Sequence, residues 1–133
     1  MASLESLVRS KKSQVDQRAR AVAQIESMIA DFERLAANLE LEIRSEEDRT
    51  KNHDPSHFAY STLAKATIQR RDNLKQSIDK LRAQLSAAQG ALRKSSEELE
   101  AATRLAAVEQ IRGQSDILER SRRTIVGDSN YVT

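Results

Sequence analysis

The sequence predicts an all-α fold: a long antiparallel two-helix coiled coil, a helical hairpin whose second helix is longer and overhangs the first. Three observations carry that expectation. Apolar residues recur at alternating three- and four-residue spacing on both sides of a short break, the repeat of a coiled-coil seam. The break holds Pro55, the only proline in 133 residues. The charges on its two sides are of opposite sign.

The composition narrows the class. Charged residues make up 32%, aromatics 3%, and there are three glycines; the mean hydropathy is −0.65. So few large side chains cannot fill a globular interior of this length. The regular return of Leu, Ile, Val and Ala also argues against disorder. A helical protein whose only core is a seam, in one domain, is what remains. No cysteine is present, which removes disulfides and thiolate metal sites. The longest apolar runs are far shorter than a membrane span. The opening residues, with Glu5 followed by Arg9, Lys11 and Lys12, lack the apolar stretch of a signal peptide, so a cytoplasmic location is expected. Although the pI is 9.1, 22 basic and 20 acidic residues nearly cancel. Balanced charge of this kind reads as a solvated helix surface.

The first helix is expected over residues 3–51. Its seam reads Leu4, Val8, Lys11, Val15, Arg18, Val22, Ile25, Ile29, Phe32, Ala36, Leu39, Ile43 and Glu46, ten of the thirteen positions being apolar. No glycine or proline interrupts it. A proline inside a helix costs about 3 kcal/mol, but the first helical position tolerates it. Asp54 is a good N-cap ahead of Pro55. The expected turn is therefore 52–57 and the second helix 58–126, with a frayed tail over 127–133. The second seam reads Ala64, Thr67, Arg71, Leu74, Ile78, Leu81, Leu85, Ala88, Leu92, Ser95, Leu99, Ala102 and Ala106. Beyond it Leu105, Val108, Ile111, Leu118 and Ile125 follow a frame shifted by about one position, and Gly113 weakens the helix nearby.

Residues 31–48 carry seven acids and two bases, whereas 49–82 carry eight bases and three acids. A bend near Asp54 lays these stretches side by side, and opposite flanking charges set partner and orientation in coiled coils. Each exposed pair adds only a few tenths of a kcal/mol. The same register brings Lys11 near Glu97 and Arg18 near Gly90. The overhang, from Leu105 onward, keeps an apolar stripe with Arg112, Arg120, Arg122 and Arg123 around it. A stripe without a partner in its own chain is expected to meet another protein.

Sites of chemistry are not expected. His53 and His57 flank Asp54 at the turn, a poor ligand geometry without a third convergent group, so no metal is assigned. There is no phosphate-cradling loop, nucleophile elbow or triad, and a two-helix coiled coil has no water-excluding pocket. The expectation is a non-enzymatic protein without a cofactor. Arg70 and Arg71 precede heptad leucines, but Asp72 and Asp79 interrupt the basic block that a DNA-reading helix needs, so no nucleic acid is expected. Phe58 and Tyr60 sit together past the turn. One can staple the hairpin tip, and the other can anchor a partner; Leu41 and Leu63 would widen that patch.

The segments His57-Phe58-Ala59-Tyr60 and Ile68-Gln69-Arg70-Arg71-Asp72-Asn73-Leu74, with Gln24 to Arg34 in the first arm, resemble the flagellar export protein FliJ family. The resemblance runs over roughly residues 1–110 in length, order of elements and turn position. It implies a stalk-like adaptor in bacterial flagellum biogenesis, a monomeric antiparallel coiled coil of the type III secretion export apparatus. Such a protein joins the flagellar export ATPase hexamer, contacts the cytoplasmic domain of the export gate and binds export chaperones. Its location would be cytoplasmic and peripheral at the inner membrane, with no membrane insertion. In that family the paired terminal ends engage the ATPase. Here those ends carry Arg9, Lys11, Lys12, Arg120, Arg122 and Arg123, the expected ring contacts. Phe58, Tyr60 and Leu63 are the expected gate or partner contacts, read from the residues themselves. The alternatives from other classes are a general coiled-coil holdase chaperone and a homodimeric coiled-coil scaffold.

Overall fold

The computed structural model describes residues 3–129, with side chains as far as Ile125. Helix α1 runs Leu4–Thr50 over 47 residues and α2 runs Thr62–Ser129 over 68. They form an all-α helical hairpin, with no strand among the described residues. Residues up to Gln17 and those from Arg93 onward make one compact unit, and Arg18–Leu92 make a second.

Both seams lie where the repeat puts them. Every seam position from Leu4 to Ala106 is buried or half-buried except Arg18, whose charged head stays in water. In the Arg18–Leu92 unit, Ile29, Ile78 and Leu81 form the core, with Ile25, Phe32, Ala36 and Leu85 packed on it. Nearer the turn, Leu39 and Ile43 of α1 are buried, and so are the small Ala64 and Thr67 of α2. The buried positions here are large on α1 and small on α2, a combination that permits close approach of two helices. Thr67 satisfies its hydroxyl within α2 by donating to the Leu63 carbonyl at 2.9 Å.

Charge pairing flanks this core. Arg71 occupies a seam position, yet it donates to Glu40 Oε2 across the hairpin at 2.9 Å and to Asp72 on its own helix at 3.1 Å. The Arg71 hydrogen bond holds the Glu40 carboxyl below its ordinary value. Arg82 reaches Glu33 at 2.9 Å. The acidic and basic stretches thus meet side by side. In the other unit Leu4, Val8, Lys11 and Val15 are half-buried, while Ser95 and Ala102 are buried on α2. Lys11 meets Glu98 at 3.0 Å, one residue from the Glu97 that the register expects. Ser3 caps α1 by accepting the Ser6 amide at 3.1 Å.

The turn is longer than expected, and α2 starts at Thr62 instead of residue 58. Pro55 is not the first residue of a helix. It occupies the second position of a β-turn closed by the His57 amide on the Asp54 carbonyl at 3.0 Å, where proline is favoured. Asp54 spends its carboxylate on the Ser56 amide and hydroxyl, so it caps this turn and not α2. The cap of α2 is Ser61, whose Oγ accepts the Ala64 amide at 3.1 Å. At the far end the helix includes 127–129, which removes those residues from the expected frayed tail; 130–133 lie outside the described residues.

Two substitutions read out these arguments. Ile78→Ala removes a buried branched side chain and should cost about 2–4 kcal/mol in urea unfolding. At Gly90 a Cβ meets open space, so Gly90→Ala should stabilise by about 0.5–1 kcal/mol.

Candidate functional site

Helix α1 ends with Lys51 in the left-handed region at φ 56°. The Asn52 amide then reaches back to the Glu47 carbonyl at 3.2 Å, the six-to-one bond of a Schellman cap. From there each polar side chain turns the backbone in succession. Asn52 Oδ1 accepts the Asp54 amide at 3.1 Å, and His57 Nδ1 accepts the Ala59 amide at 3.0 Å. The Tyr60 amide closes a second turn on the His57 carbonyl at 3.0 Å.

This path brings two residues ahead of α2 onto two acids of the last turns of α1. Tyr60 is 5% exposed, and its hydroxyl donates to Glu47 Oε2 at 2.9 Å. Ser61 donates to Glu46 Oε1 at 2.8 Å while capping α2. Arg49 donates two bonds to Glu46 from the other side, at 2.9 and 2.5 Å. That Arg49 pair, with Ser61 second, draws the Glu46 carboxyl down to about 2. Burial foremost, and then Glu47, pushes the Tyr60 phenol up.

The three expected tip contacts therefore separate. Tyr60 is corrected from a partner contact to an internal latch, because its ring is buried and its hydroxyl is engaged. Phe58 is 95% exposed, stacked on His57 with centroids 4.6 Å apart. Leu63 and Leu41 are exposed as well. Sequence reasoning missed Glu46, Glu47 and Ser61 as a latch. A serine three residues ahead of the second apolar repeat was the available signal for the cap. His53 lies 3.7 Å from Glu47 and 3.4 Å from Asp48, and among the described residues no cluster of His, Asp or Glu is placed to hold a metal ion.

The other candidate surface lies in the unit built from residues up to Gln17 and from Arg93 onward. Arg9 and Lys12 are exposed, but Lys11 is half-buried and committed to Glu98, so it is not a free contact group. Ser3, Leu4 and Glu5 meet α2 along an open groove at Ala106, Glu109 and Gln110. Past Ala106 every side chain to Ile125 is exposed, including Arg120, Arg122 and Arg123. Arg120 and Arg123, three residues apart, share one face of the helix, and Arg122 stands about 100° or more from both. Val108, Ile111, Ile117, Leu118 and Ile125 are between 51% and 68% exposed. No described helix is long and apolar enough to cross a membrane. No protein family, curated protein or solved structure matches the chain.

The latch predicts two pH limits. Glu46 is depressed in the folded state, so what it contributes is complete above its ordinary value of 4.5 and is lost as pH falls toward about 2. Glu46→Gln should lower the melting temperature at neutral pH, and the gap to the native chain should close on acidification. The Tyr60 phenol is raised, so its contribution holds below 10.0 and is lost as pH rises through the folded value. Tyr60→Phe should melt earlier at neutral pH and converge with the native chain in alkali.

Proposed function

We propose that this chain is a non-enzymatic, stalk-like adaptor of a bacterial flagellar protein export apparatus. It links the export ATPase ring to the cytoplasmic domain of the export gate and assists delivery of substrates and chaperones, at the cytoplasmic face of the inner membrane. The observation that carries this reading is the run of α2 from Ala107 to Ile125, exposed on every face with three arginines among residues 120–123. A helix in that state presents both charge and apolar surface to a protein partner. The resemblance at Phe58 to Tyr60 and along residues 68–74 supplies the kind of partner.

Each part has a stated role in this reading. Arg9, Lys12, Arg120, Arg122 and Arg123 meet acidic groups on the ring, with Lys11 positioned behind them by Glu98. Phe58 and Leu63 offer an exposed apolar contact to the gate, and the latch at Tyr60 and Ser61 keeps the turn that presents them in one conformation. The coupling is mechanical and electrostatic, and the chain carries out no reaction.

Sedimentation of the chain with the export ATPase from the same source tests the assignment. One chain should join each hexamer, and binding should weaken as salt rises. A triple reversal, Arg120→Glu with Arg122→Glu and Arg123→Glu, should abolish ring binding with the far-ultraviolet circular dichroism unchanged. Unaltered binding would remove the ring assignment. Protection of unrelated unfolded proteins from aggregation, without ring binding, would point to a holdase instead.

A further inference from the structure

The exposed stripe on α2 follows a heptad frame of its own: Val108, Ile111, Ser115, Leu118, Arg122, Ile125. The side of α2 that meets the start of α1 is marked by Ala106, Glu109 and Gln110. At 3.6 residues per turn the stripe is centred about 150° round the helix from that side. It therefore lies on the far face of α2, where α1 does not stand in the way of a second helix.

We propose that this face pairs with the same face of a second copy of the chain, antiparallel, about a two-fold axis between residues 116 and 117. Antiparallel seams set each first apolar position of the heptad against the fourth of the neighbour. Here that puts Val108 against Ile125 of the second copy, Ser115 against Leu118, and Ile111 against the stem of Arg122. The residues flanking the seam decide the orientation. Arg112, which lies 3.9 Å from Glu109 on its own helix, and Glu119 both flank the seam at the fifth heptad position, which antiparallel pairing sets against itself. Each Arg112 comes within two residues of level with Glu119 of the second copy, and the two-fold axis repeats this pair of opposite charges. A parallel pairing would instead set Arg122 against itself in the seam and offer no matched flanking pair. Arg122 is the one cation in the stripe and keeps the association reversible, since its head must stay hydrated. The pairing concerns the chain by itself and rests on no part of the ring assignment.

Sedimentation equilibrium of the full chain alone, from micromolar to submillimolar concentration at low salt, tests it. The native chain should pass reversibly from monomer to dimer. Arg112→Glu or Glu119→Arg alone should weaken the dimer about tenfold or more by facing like charges. An equimolar mixture of those two variants should associate again, because each then presents the charge the other lacks. Arg122→Leu should tighten the dimer. A chain monomeric throughout would overturn the proposal; so would a dimer indifferent to the reversals, or a mixture that fails to restore it. Rescue in the mixture also excludes misfolding of the single variants. Because no ATPase is present, the result is separate from that of the ring experiment.

Discussion

Burial of one narrow stripe from each helix is the constraint on which the rest depends. Among the described residues, Tyr60 at the turn is the one buried apolar side chain outside those stripes. Long helices with mixed charge on their outer faces gain little from propensity alone, and most helical stability comes from packing an apolar face. In the Arg18–Leu92 unit that face is made by Ile29, Ile78 and Leu81 with their neighbours, and nearer the turn by the buried Leu39, Ile43, Ala64 and Thr67. A seam so thin leaves each buried side chain with a large share of the stability. Arg71, a half-buried charge in a seam position, is held by two carboxylates, whereas the exposed Arg18 keeps its head in water.

The turn shows how a polar segment can be held without a core of its own. Between Lys51 and Ser61 the backbone is folded by side chains that accept its amides, one after another. The segment is then fastened to α1 by Tyr60 and Ser61 on Glu47 and Glu46. Placing both fasteners on adjacent acids ties the start of α2 to the end of α1 and sets the register of the hairpin at its origin. Phe58 is left outside because Tyr60 has taken the buried place.

In the other unit the same sequence logic runs out at Ala106. The frame that keeps small residues toward α1 continues into Glu109, Gly113 and Asp116, while the apolar residues move to the opposite face. That change of face marks where packing against α1 ends. Up to Ala106 the helix satisfies itself against α1; from Ala107 to Ile125 its side chains are exposed. The stripe is interrupted by Ser115 and Arg122, features that suit a reversible contact better than a permanent one.

The all-α class, the two arms and nearly every seam position were legible in the sequence, because a repeat of three and four residues has only one way to be buried on a helix. The opposed charge blocks were equally legible, and they meet as Arg71 with Glu40 and Arg82 with Glu33. Which of Phe58 and Tyr60 turns inward was not legible, since two aromatics with one residue between them past a turn satisfy the same pattern. The choice depends on where Glu47 stands once the backbone has passed through two successive β-turns. The start of α2 was missed for the same reason. Asp54 and Pro55 satisfy the local rule for a helix start and for a β-turn equally well, and the tertiary contacts of Tyr60 and Ser61 with α1 select the turn. Local spacing determined what is buried along the helices; only the packing of one arm on the other decided how the chain between them is held.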